Sequence, residues 1–125
     1  MQTPHHCSWR TLSHDSWSGK GESAKESADA VNALSQARKG AAIVASSKLI
    51  QDEDSDPPCI RAKRTYTRIV QQLSVSGKFY CTGEYPKSTN VKPLIFEIDN
   101  VGVRVANKAV IGAASIAASP NLRAG

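Results

Sequence analysis

Residues 65–75 read TYTRIVQQLSV, and the period of this stretch sets the architecture of the chain. At period 2, Thr67, Ile69, Leu73 and Val75 fall on one face and Tyr66, Arg68, Gln72 and Ser74 on the other, the pattern of a half-buried strand. A loop of Ser76-Gly77-Lys78 then opposes Val75 to Phe79 and Leu73 to Cys81, so the apolar face continues across a predicted hairpin.

A second hairpin follows in LIFEIDNVGVRV, residues 94–105. With Asp99-Asn100 as a two-residue turn, Ile98 pairs with Val101, Phe96 with Val103 and Leu94 with Val105, and the apolar side chains share one face. Asn and Asp tolerate the positive φ that a type I′ turn demands.

Working back from the first hairpin, QDEDSDPP at residues 51–58 is a linker by chemistry. Its carboxylates repel one another, and Pro57 and Pro58 cannot continue a helix. Residues 23–50 carry the helical period instead. Ser23 or Ser27 can cap the start, and Glu26 stands three residues after Ser23 as in a capping box. Ala30, Val31, Leu34, Ala37, Ala41, Val44, Ala45 and Leu49 form one small-residue stripe at 100° per residue, with Gly40 a weak point in its middle. Residues 1–22 are polar, rich in Ser and His, and show neither period, which predicts a disordered arm. Beyond the hairpins, Asn107 can cap a short helix, KAVIGAASIAAS, that ends at Pro120 and leaves 120–125 as a tail.

The predicted fold is therefore α+β: an N-terminal helix, a four-stranded antiparallel sheet made of two hairpins, and a short C-terminal helix, with residues 59–119 as the basic sheet-containing part. Both helices cover the apolar sheet face and leave the other face wet.

Composition bounds the function. A chain of 125 residues with 40% hydrophobic and 22% charged side chains holds one ordinary core. No apolar run reaches the roughly 18 residues of a membrane span, and the first thirty residues lack the apolar core of a secretory signal. Cys7, Cys59 and Cys81 are an odd set, too sparse for a disulfide framework, so free thiols and a cytoplasmic location are expected. The net charge of +5 is unevenly placed: residues 1–59 carry 6 basic and 8 acidic side chains, and residues 60–108 carry 9 basic and 3 acidic.

A basic region attracts polyanions, nucleic acid first among them. If the two hairpins join, the wet face collects Arg64, Tyr66, Arg68, Gln72, Tyr80 and Arg104, with Arg61 and Lys63 at its border. Bases of single-stranded RNA or DNA stack on tyrosine rings and guanidinium planes while the cations meet phosphates. An exposed antiparallel face is polar by default, so residue types alone do not demand a ligand. The competing readings are an interaction or structural protein that binds itself or another protein through Val31, Leu34, Ala37, Ala41 and Val44 of the small-residue stripe, and a protein with no biochemical activity of its own.

Enzyme signatures are missing. There is no phosphate loop, nucleophile elbow or metalloprotease helix motif, and all three histidines lie within the first fourteen residues. The set His5, His6, Cys7 and His14 lacks the second spaced pair of a zinc site, so neither metal nor cofactor is assigned.

Overall fold

The computed structural model describes residues 1–55 and 57–106, and divides the chain into two compact units, Met1–Pro93 and Leu94 onward. The predicted C-terminal helix over 107–119 lies outside the described residues. Helices and strands are mixed as α+β, but among the described residues the strands pair two by two and no four-stranded sheet forms. Among the described residues no helix is long and apolar enough to cross a membrane.

In the first unit, α1 spans Ala28–Leu34, β1 Ala42–Ala45, α2 Ile60–Val70 and β2 Lys78–Cys81. Residues 65–70 are thus helical, which overturns the first predicted hairpin. Ala62, Thr65, Tyr66, Ile69 and Val70 are buried, recurring every three to four residues on the inward side of α2. Leu73, placed in the core by a period of 2, is 92% exposed. Pro57 and Pro58 precede the helix, and Cys59 takes the extended conformation of a cap, φ −120° and ψ 130°.

The predicted helix over 23–50 is a short helix, a turn and a strand. Ser27 is the cap of α1: its hydroxyl accepts from the Ala30 N–H at 3.4 Å. The chain leaves the helix after Leu34 and turns at Gly40, where φ is +82°. The apolar run that follows, AIVA, becomes β1 with Ile43 and Ala45 buried. This strand pairs in parallel with β2, Ile43 opposite Phe79 and Ala45 opposite Cys81. Parallel pairing requires a crossover, and α2 lies within it, stacking Tyr66 on Phe79 with centroids 6.4 Å apart. Gly77 turns the chain into β2 so tightly that a Cβ there would collide with the Ala41 carbonyl.

The expected disordered arm is part of the core. Gln2 bridges Val44 in parallel; the Thr3 N–H donates to the Val44 carbonyl at 2.8 Å and the Val44 N–H to the Met1 carbonyl at 2.7 Å. Cys7 and Leu12 have no exposure and Trp9 has 3%. Its polar composition reflects a segment of turns that carries Cys7, Trp9 and Leu12 inward, with Ser8 capping a turn through the Arg10 N–H and the Ser13 hydroxyl donating to the Lys25 carbonyl. Two short strands, β3 Pro86–Lys87 and β4 Asn90–Val91, close a small antiparallel loop.

The second unit contains the predicted hairpin of residues 94–105, with β5 at Phe96–Ile98 and β6 at Val103–Val105. Its register differs by two residues: Ile98 pairs with Val103 and Phe96 with Val105. The Asp99 carboxylate explains the longer turn, because it accepts the N–H groups of Val101 and Gly102 at 2.9 and 3.1 Å. An even shift keeps the same side chains on the same face.

Candidate nucleic-acid interface

Helix α2 carries four basic side chains and no acidic one. Its outward face carries Lys63-Thr67 and Arg64-Arg68 at four-residue spacing, neighbours on a helix, and Gln71 and Gln72 follow just past its end. These six residues, with Ile60, line an open groove of about 610 Å³.

Each cation of the groove is tethered by a carboxylate from another segment. The Lys63 ammonium lies 2.8 and 3.1 Å from the two Glu84 oxygens, and Glu84 also accepts the Ile50 N–H at 3.0 Å. Arg68 reaches Glu26 at 2.5 Å, and the buried Thr65 hydroxyl donates to the same carboxylate at 2.6 Å. Partial burial pushes the Glu26 carboxyl up, but the hydrogen bonds from Thr65 and Arg68 together outweigh it and hold the group below its ordinary range. Arg64 is the loosest: its Asp52 partner stands 3.6 Å away with 91% of its side chain exposed, so water screens the pair.

The remaining candidate residues go elsewhere. Arg61 lies with its guanidinium 4.5 Å from the Trp9 ring centroid and donates to the carbonyls of Gly21 and Glu22. Tyr66 is 2% exposed, too buried to stack on a base; burial raises its phenol, and its hydroxyl is held by Thr11. Tyr80 is half-buried on β2 against Tyr85. Arg104 belongs to the second unit, where it pairs with Asp99 at 2.6 Å and Glu97 at 3.4 Å. Among the described residues these side chains share no common sheet: Tyr66 is on a helix, Tyr80 on β2 and Arg104 on β6. The groove adds Thr67 and Gln71, which the reading at period 2 left out and the spacing from Lys63 would have found.

The stripe expected to bind a partner helix is also dispersed. Val31 and Leu34 are on α1, Ala37 and Ala41 in the connection, and Val44 on β1, with Leu34, Ala37 and Ala41 packed against the protein's own core. No group of three His, Cys, Asp or Glu side chains among the described residues could hold a metal ion. Comparison with family models, curated proteins and solved structures finds no match to the chain.

Proposed function

We propose that the protein is a non-enzymatic binder of single-stranded nucleic acid, RNA or DNA, which it contacts through phosphates along the outward groove of α2. One observation carries this reading: Lys63, Arg64 and Arg68 line a single groove on a helix without a carboxylate of its own. Two such cations on successive turns match a run of phosphates better than an isolated charge, and Thr67, Gln71 and Gln72 supply neutral hydrogen bonds beside them. The tethering carboxylates fix where the cations stand and must yield as phosphate arrives, which keeps affinity modest. With Tyr66 buried, base stacking does not contribute and sequence preference is weak.

Filter binding of single-stranded RNA and DNA at two salt concentrations tests the proposal. Three phosphate contacts give a slope of log affinity against log salt of about −2 for a single strand. Arg64→Ala combined with Arg68→Ala should flatten that slope. No retention at low salt, or retention indifferent to the double substitution, overturns the reading.

A further inference from the structure

We propose that the cleft between Tyr80 and Tyr85 is a binding site for a methylated ammonium group, a ligand class different from that of the phosphate groove, to which the cleft is joined through the Glu84–Lys63 pair. Tyr80 is carried by β2, and Tyr85 follows the 3-10 turn Thr82–Glu84. Their rings meet at 74° with centroids 5.9 Å apart, forming two walls of a corner. Phe79, Pro86 and Glu84 help to line the cleft, whose volume is about 230 Å³, smaller than the roughly 300–1,000 Å³ typical of drug-sized ligands and suited to a compact headgroup.

Two features assign a cation to this space. The first is an internal stand-in: the Lys78 ammonium already lies 5.7 Å from the centroid of the Tyr80 ring, at the distance of a cation–π contact. The second is the Glu84 carboxylate in the lining, fixed by Lys63 and the Ile50 N–H, which disfavours an anionic guest. Lys78 is itself exposed, and its primary ammonium keeps strong hydrogen bonds to water. A quaternary ammonium has no N–H to solvate, surrenders less hydration on meeting an aromatic face, and so displaces Lys78 from the ring. The same chemistry is offered by a free choline-like amine and by a trimethylated lysine side chain.

The experiment is a titration of the full chain with choline and with its neutral isostere 3,3-dimethylbutan-1-ol, followed through the tyrosine ring resonances by NMR. Saturable shifts of Tyr80 and Tyr85 with choline, and binding at least about tenfold weaker for the neutral isostere, support the site. Equal binding of the two, or no saturable shift with choline, overturns it. Lys78→Met should tighten choline binding by removing the competing cation; unchanged or weaker binding in that exposed-site variant counts against the proposal. Tyr85→Leu should abolish the Tyr80 shift, and full retention overturns the two-wall geometry. A trimethyl-lysine peptide in a parallel arm distinguishes the sources: tighter binding than choline points to a modified protein, weaker binding to a free amine, and both support the class.

Discussion

The Tyr66 hydroxyl lies 3.0 Å from the Thr11 hydroxyl, joining the centre of α2 to a segment 55 residues earlier in the chain. The same two regions meet again where the Cys59 N–H donates to the Cys7 carbonyl at 3.0 Å and where Arg61 covers Trp9. The amino-terminal segment is thus a structural wall of the first unit.

Trp9→Ala is expected to destabilise the protein by about 3–5 kcal/mol, the range for emptying a large aromatic site in a core. Deletion of residues 1–12 should abolish cooperative unfolding, since it also strips Leu12 and Cys7 from the core. Denaturant titration followed by circular dichroism checks both, and a truncated chain with an unchanged midpoint would contradict the packing described.

Glu26 makes stability depend on pH. Its carboxyl titrates below the ordinary 4.5 when folded, so its contribution is complete above that value and is lost as the pH falls through the lowered one. Glu26→Gln should cost about 1–2 kcal/mol at neutral pH, in line with hydrogen bonds to a charged group. It should also flatten the fall in melting temperature on the acid side. A variant whose acid profile superimposes on the parent would show that Thr65 and Arg68 do not depend on this carboxylate.

Gly77→Ala tests the tight turn into β2. The added methyl meets the Ala41 carbonyl oxygen and the Val70 side chain, while Gly77 N–H donates to the Val70 carbonyl at 2.7 Å and cannot easily shift. A loss of about 1–3 kcal/mol is expected, as for other overpacked sites. The start of the β1–β2 pairing should show it first, as faster amide exchange at Lys78, whose N–H donates to the Ala41 carbonyl at 3.0 Å.

The three cysteines should be silent to thiol reagents until the chain unfolds. All are buried, and burial, followed by the neighbouring Cys59 and Cys81, pushes the Cys7 thiol up to about 12. Labelling with a disulfide reagent at pH 8 is expected to be slow in the native protein and complete in guanidinium. Rapid labelling of one thiol without denaturant would mean that the amino-terminal wall opens readily.

What could be read from residues alone divides along physical lines. A cap at Ser23 or Ser27, of which Ser27 forms, a turn at Gly40, a helix start after Pro57-Pro58 and a hairpin within 94–105, though not its register, are legible because each rests on local chemistry. The helical nature of 65–70 is not, because Ile69 satisfies both periods and the burial of Ile60 and Ala62 that settles the matter lies upstream of Thr65. AIVA was absorbed into its Ala-rich surroundings, although a short apolar run after a glycine also fits a buried parallel strand. Its partner β2 is distant in sequence, and no local pattern reveals that pairing. The basic character of residues 60–68 survived the error in secondary structure, but its geometry changed from a sheet face to a helical groove.

The parallel ladder also fixes an order of events. Synthesis runs from the amino end, yet Cys7 finds its backbone partner only at Cys59, Thr11 only at Tyr66, and β1 only at β2. Within the first unit, the segment around Cys7 and Thr11 therefore waits for partners that are made later, at Cys59 and Tyr66. Closing such long loops costs little extra stability, because the entropy grows only with the logarithm of length, but it slows the search for the native topology. Until those partners are made, Trp9 lacks the Arg61 guanidinium that lies over its ring in the folded unit.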